Sequence, residues 1–193
     1  MRPGRYAAVL AAFGCQRLAE LAYSARNERR IRARSRIAPQ AAASSYKWIV
    51  LTNTALFLLP ALERVLRRRS HVPAAAIAIG WMAALGGTAL RLSVLASLGP
   101  AWTARALVPT DLQVIDRGPY RLIRHPNYLA LGLEFIGLPL IGGAYYSAAG
   151  LSLLNAGLLA TRIREEESLL MAIPEYRLRM ADKPRFLPRL TNR

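Results

Sequence analysis

The sequence predicts an all-α integral membrane protein with about five transmembrane helices, the last two folded into a helical hairpin and followed by a cytoplasmic C-terminal tail. Three observations carry this reading. The 193-residue chain is 53% hydrophobic with mean hydropathy +0.19, high for a soluble protein of this size. Its apolar residues come in uncharged blocks, 48–62, 72–90 and 135–161, each near or above the roughly 20 residues that cross a bilayer core of about 30 Å, and the last is long enough to cross, turn and start back. Its 27 Lys and Arg against 11 Asp and Glu, a net charge of +16, sit between the blocks rather than on one soluble face. That placement argues against a nucleic-acid partner.

The first span is expected at about 5–23. Its opening imitates a lipoprotein signal, with Arg2 and Arg5 ahead of a short apolar run and Gly14 next to Cys15, but Leu18, Leu21 and Ala22 continue the apolar spacing, so the span is read as uncleaved. Gln16, Glu20, Tyr23 and Asn27 recur at helical spacing and form a polar stripe that should face protein, with Arg17 and Glu20 able to pair. The second span, about 47–66, contains Asn53 and Pro60, and the proline predicts a kink. The third begins after Pro73; Gly80, Gly86 and Gly87 invite a close helix partner, and Arg91 at its end is expected to snorkel toward the cytoplasm.

Residues 98–118, with Pro100, Pro109, Asp111 and Asp116, read as a reentrant or surface-lying connector. In the final block Pro139 and Gly142-Gly143 mark the hairpin turn. By the positive-inside rule, segment 25–36, the connector and the tail after Thr161 are cytoplasmic and the N-terminus is outside, although the arginines of 63–71 fall on the outer side. Residues 1–97 are thus a three-span segment and 98–193 a core of connector, hairpin and tail, within one structural domain. A single cysteine and two distant histidines exclude an internal disulfide and make a metal site improbable.

Two charged segments flank the hairpin, "RLIRHPNY" entering it and "TRIREEESLL" leaving it, and antiparallel helices joined by a short turn must bring them together. Pro126 suits the first helical position, leaving Arg124 and His125 at a helix N-terminus that favours anions. Asn127, Leu131 and Glu134 share one face of the incoming helix. Asn155, Leu159, Arg162 and Glu166 share one face of the outgoing helix, where Arg162 and Glu166 are spaced to pair. Taken singly, such a pair could be a salt bridge at the membrane surface, and His125 an ordinary interfacial histidine. Glu134 is harder to explain that way, because an acid about two turns inside a membrane helix is costly unless paired or functional.

"GPYRLIRHPNY", an apolar hairpin, then "RIREEESLL", "EYR" and "RFLP" resemble the isoprenylcysteine carboxyl methyltransferase family of integral membrane enzymes, over about 98–188. "RLAELAYSARNERR" and "LGPAW" look like its bacterial branch associated with type III polyketide synthases, which O-methylates long-chain alkylpyrones or alkylresorcinols. The resemblance implies S-adenosylmethionine bound between the last two helices and the tail, with Arg124, His125, Pro126, Tyr128, Glu166 and Glu167 lining the cofactor cleft and Arg162 as the active-site arginine. The tail departs from the pattern in having Met180 where a second tyrosine is often found, and in lacking a glycine before Tyr176. Arg162 would hold the acceptor oxygen as an anion, Glu134 is a candidate base for a phenolic acceptor, and the lipid would enter sideways from the bilayer of a bacterial cytoplasmic membrane. A prenylcysteine carboxylate acceptor, phospholipid N-methylation, and a non-enzymatic protein whose basic loops bind anionic lipid are the competing readings.

Overall fold

The structure, a computed structural model, describes residues 3–35, 43–67, 71–105, 107–109 and 112–188; Arg36, Asp111 and the arginines of 68–70 lie outside them. It is all-helical among these residues. In order come α1 (Pro3–Arg34), α2 (Ala43–Leu66), α3 (Ala74–Leu98), α4 (Pro126–Gly142), α5 (Tyr145–Leu170) and a short α6 (Pro174–Met180). Two segments, Tyr46–Leu66 and Ala74–Ala101, are long and apolar enough to cross a membrane. Their aliphatic side chains, Leu51, Leu58, Leu62 and Val65 on α2 and Ile79, Met82 and Leu85 on α3, point out of the fold. In water this would be an aggregation surface; against lipid it costs nothing.

The polar stripe of α1 does face protein. Glu20, Ser24 and Asn27 are buried. The Asn27 amide donates to the Trp102 carbonyl at 2.9 Å, and the Ser24 hydroxyl accepts the Ala104 N–H at 2.8 Å. These bonds fasten the connector to α1, and Trp102 stacks on Tyr23 with centroids 6.3 Å apart. The connector does not lie wholly on the surface: Trp102, only 3% exposed, and Val108 are driven into the fold, while Arg105, Gln113 and Asp116 stay exposed. A backbone without regular structure is tolerated there because α1 supplies the partners its own ladder lacks.

The closest helix contact is α3 on α4. A Cβ at Gly80 would meet the Ile141 N at 2.7 Å and the Gly137 O at 2.9 Å, and one at Gly87 would meet the Ala130 O at 2.8 Å. Small residues thus let two backbones touch. Gly86 departs from the expectation, since a Cβ there has nothing within 4 Å; Gly137 on α4 completes the contact instead, where a Cβ would meet the Ala84 N at 2.5 Å. Gly137→Val is expected to destabilise the protein by about 1–3 kcal/mol through overpacking, whereas Gly86→Ala should leave stability equal or slightly higher. Thermal unfolding in detergent distinguishes the two.

Helix α2 runs on through Pro60, and Glu63 near its end accepts the Ser147 N–H and hydroxyl, both at 2.7 Å, capping the start of α5. The hairpin turn falls at Gly143, left-handed at φ 69, whose N–H reaches the Leu140 carbonyl at 3.0 Å. Pro139 lies inside α4, one turn before its end, rather than in the turn itself. The hairpin returns the chain so that the start of α4 lies beside the end of α5.

Candidate active site

At that end Pro126 opens α4, preceded by Arg124 and His125. The N–H groups of Arg124 and His125 donate, each at 3.0 Å, to the carbonyls of Pro184 and Arg185, which binds the tail across the helix start. Glu167 fixes this strap: its carboxylate accepts from His125 Nε2 at 2.9 Å and Arg185 Nη2 at 2.5 Å, with Arg124 Nη2 at 3.5 Å. Phe186 packs near the His125 ring, which stacks on Tyr128 at 5.4 Å. The two charged segments thus meet as the hairpin requires. Three details differ from the sequence reading: the N–H groups of Arg124 and His125 are taken by the tail, Glu167 is committed to holding it, and Pro126 is buried as a helix-starting residue, lining neither cavity described below.

Tyr128 is the hub. Its hydroxyl donates to Glu166 and accepts from Arg162 Nε at 2.9 Å, while Arg162 Nη2 donates to the Ala104 carbonyl at 2.7 Å. Arg162 and Glu166 therefore do not pair directly; the phenol stands between them. Arg162 is 5% exposed and, among the described residues, has only neutral hydrogen-bond partners. The Glu166 carboxylate faces it across the Tyr128 hydroxyl.

Two cavities meet at this hub. One, of about 170 Å³, is lined by Arg124, His125, Tyr120, Glu166 and Tyr176 together with apolar connector residues such as Val108 and Leu112. Burial, reinforced by the charge of Glu166, pushes the Tyr120 and Tyr176 hydroxyls above their ordinary range, so both stay neutral donors. The other, of about 330 Å³, lies between α1 and α2 and is mostly apolar, with Leu21, Ile49, Phe57, Leu131 and Leu159 among its walls. It opens past Leu18 and Leu58, 67% and 63% exposed, onto the aliphatic outer surface. Trp102, Ala104, Asn127, Tyr128 and Arg162 line both cavities.

Sequence reasoning missed Arg91 and Arg17 as site residues. Arg91 does not snorkel: it is 3% exposed and donates through Nε and Nη2 to Glu134, both at 3.2 Å, and through Nη1 to the Asn127 side chain at 3.1 Å. Arg17 pairs with Glu134 and, at 2.8 Å, with Glu20. The carboxylate of Glu134, expected to face the acceptor, lies behind these guanidiniums; Arg17 and Arg91 line the apolar cavity and Glu134 does not. A signal was available for Arg91, since Gly80, Ala84, Gly87 and Arg91 repeat at four, three and four on the buried face of α3.

The polar cavity can be tested for fit to a zwitterionic, cationic nucleoside. Among the described residues Arg124 Nε and Trp102 Nε1 are buried without an acceptor, which costs free energy. Arg124 suits a carboxylate, Glu166 an ammonium or ribose hydroxyls, and Tyr120 and Tyr176 offer neutral aromatic faces to a cation. The residues fit. In comparisons with known proteins, residues 78–172, from within α3 to just past α5, match the isoprenylcysteine carboxyl methyltransferase (ICMT) family. The "Uncharacterized protein YpbQ" of Bacillus subtilis (strain 168) is 31% identical over 166 residues, covering 83% of this chain and 92% of that protein. With that relative extending the likeness over most of its length, the chain belongs to the isoprenylcysteine carboxyl methyltransferase family, membrane proteins that transfer a methyl group from S-adenosylmethionine.

Proposed function

We propose that this protein is an O-methyltransferase acting on the hydroxyl of a lipid-tailed acceptor, of the long-chain alkylpyrone or alkylresorcinol class, in a bacterial cytoplasmic membrane. In this reading α1 to α5 are the five spans, the α4 start and the tail face the cytoplasm, and a polyketide synthase delivers the acceptor. One observation carries it: a polar cavity and an apolar cavity share a wall in which the buried Arg162 guanidinium has neutral hydrogen-bond partners only, among the described residues. Such a charge favours an oxyanion and opposes an ammonium, so a phospholipid amine fits poorly. The opening past Leu18 and Leu58 supports lipid access from the bilayer.

When bound, S-adenosylmethionine supplies a methyl group on a sulfonium, which leaves as a neutral thioether when the acceptor oxygen takes the methyl. The remaining work belongs to the chain. Arg124, Glu166, Tyr120 and Tyr176 would hold the donor; Arg162 would hold and orient the acceptor oxygen; Tyr128, bonded to both Glu166 and Arg162, would keep the two halves in register. Trp102 and the connector, sealed by the tail strap, would exclude water from a reaction in which charge disappears.

Incubating the detergent-solubilised protein with methyl-labelled cofactor and lipid extract tests the reading: label is expected in a neutral ether. Label in a quaternised headgroup, or in no lipid at all, removes it. Glu166→Gln and His125→Ala are each expected to weaken S-adenosylhomocysteine binding about tenfold or more, the first by loss of a charge-assisted contact and the second by release of the tail strap. Calorimetric titration checks both.

A further inference from the structure

The connector bonds to α1 at Ser24, Asn27 and Glu28, and the helix then continues to Arg34. One face of this helix changes character along its length. Leu18, Ala22, Ala25 and Arg29 recur at four, three and four residues and are all exposed, with Arg26 and Arg30 exposed beside Arg29. The face is aliphatic up to Ala25 and cationic beyond it. Exposed aliphatic side chains belong against acyl chains, so the switch between Ala25 and Arg26 marks the height at which hydrocarbon gives way to headgroups. Leu18 borders the opening of the apolar cavity, and Arg26 stands just over two turns, about 12 Å, further along the same helix.

The opposite lip carries the same signal. At the start of α2, Tyr46 lines the cavity, Lys47 is exposed and Trp48 is 52% exposed, with the Lys47 ammonium 5.5 Å from the Trp48 ring centre. A lysine and a tryptophan side by side at the end of a span form an interfacial anchor. Carboxylates are scarce here. Glu28 is the only acid of segment 25–36 and already takes Arg32 at 2.9 Å and Arg105 at 3.4 Å. Among the described residues Arg26, Arg29, Arg30 and Arg34 have no carboxylate partner, and segment 36–42 contains no Asp or Glu. Arg26, Arg30 and Arg34 follow one another at four residues, a spacing at which like charges repel. An anion lying along this face relieves the repulsion.

We propose that the end of α1 and the start of α2 form a docking surface for anionic phospholipid headgroups, which Arg26, Arg29, Arg30 and Lys47 gather above the opening of the apolar cavity. The proposal takes α1 and α2 as spans, as in the reading above, and does not depend on methyl transfer. The occupant follows from the fold. Lipid covers the aliphatic part of the same face, so its headgroups reach the arginines without a separate docking step, whereas an acidic protein would have to pass the headgroup layer. Guanidinium forks match phosphate oxygens. Each basic side chain near an anionic membrane surface adds an attraction that salt screens.

The test titrates the full-length protein in neutral detergent with phosphatidylglycerol or phosphatidylcholine and counts bound lipid by native mass spectrometry. The parent protein is expected to bind phosphatidylglycerol about tenfold or more tighter at low salt, the preference shrinking to within about threefold at about 0.5 M salt. Changing Arg26, Arg29 and Arg30 together to Gln should lower phosphatidylglycerol affinity about tenfold or more and leave phosphatidylcholine affinity unchanged. Changing the same three to Lys keeps the charge and should stay within about threefold of the parent. A control of equal charge loss, Arg121, Arg164 and Arg177 to Gln, which are exposed elsewhere on the protein, should also stay within about threefold. Equal affinity of the parent for the two lipids overturns the proposal and leaves the face to an acidic protein. A loss in the control as large as in the α1 variant overturns it too, because net charge alone then accounts for the effect. Tryptophan quenching by brominated phosphatidylcholine, with Trp48→Phe as background, reports separately whether α2 lies in the bilayer. No quenching of Trp48 sinks the span reading and this proposal together, whereas equal lipid affinity sinks the proposal alone.

Discussion

Arg162→Met is expected to lower methyl transfer about 10³-fold while S-adenosylhomocysteine affinity changes by less than about tenfold. The size follows from what the side chain does: a preorganised donor aimed at an oxyanion in a water-excluded site is worth roughly 10²–10³ in rate, and here both hydrogen-bond partners of the guanidinium are neutral. Methionine keeps an apolar stem in the wall that Arg162 shares with Leu159 and Leu131, so the cavity wall should persist. Single-turnover kinetics with the best acceptor, beside a binding titration of the cofactor product, reads the two effects separately. Equal loss of binding and rate would mean that Arg162 builds the cofactor cavity instead of holding the acceptor.

Glu134→Leu is expected to cost about 3–5 kcal/mol of stability, the penalty of stranding buried charge when one partner of an ion pair is removed. Arg17 and Arg91 would then share Glu20 alone, with Glu134 and Arg91 only 2% and 3% exposed in the parent protein. Adding Arg91→Met to Glu134→Leu should recover much of that loss, because the double variant again pairs one arginine with one glutamate and leaves a matched apolar contact on the other side. Thermal unfolding in detergent for the two single variants and the double variant gives the coupling directly. Additive losses would show that the network is not a unit.

Much of the fold was legible because bilayer-sized apolar blocks and their turn residues are local signals. The hairpin could be placed from Gly143 and its neighbours, and with it the meeting of Arg124 to Tyr128 with Arg162 to Glu167, since antiparallel geometry makes that contact almost obligatory. Partners within the site were less accessible. Arg162 and Glu166 are spaced to pair, yet a phenol from another helix offers Arg162 a neutral acceptor and Glu166 a donor at once. Glu167 looked equivalent to its neighbour, but one residue is about 100° of helix, enough to turn it from the cavity toward the tail.

Arg91 is the instructive miss. Its position near the end of an apolar helix fits snorkelling, and a basic side chain with nothing nearby in sequence to neutralise it would do so. Its partners are 43 residues away on α4, where Glu134 waits, and on α1 beyond that. Helical spacing put it on the same face as Gly80 and Gly87, so the face was readable although the ion pair was not.

The amino-acid sequence by itself determined which segments are helical and apolar, where the chain turns, and which charged residues arrive at one end of the final hairpin, because these depend on neighbours three or four residues apart. Only the tertiary structure decided that the connector is an inner wall, that two cavities share Arg162, and that Glu134 belongs to the arginines. Those outcomes depend on which buried donor finds which acceptor across helices far apart in the chain, and in a low-dielectric interior that pairing outweighs local preference.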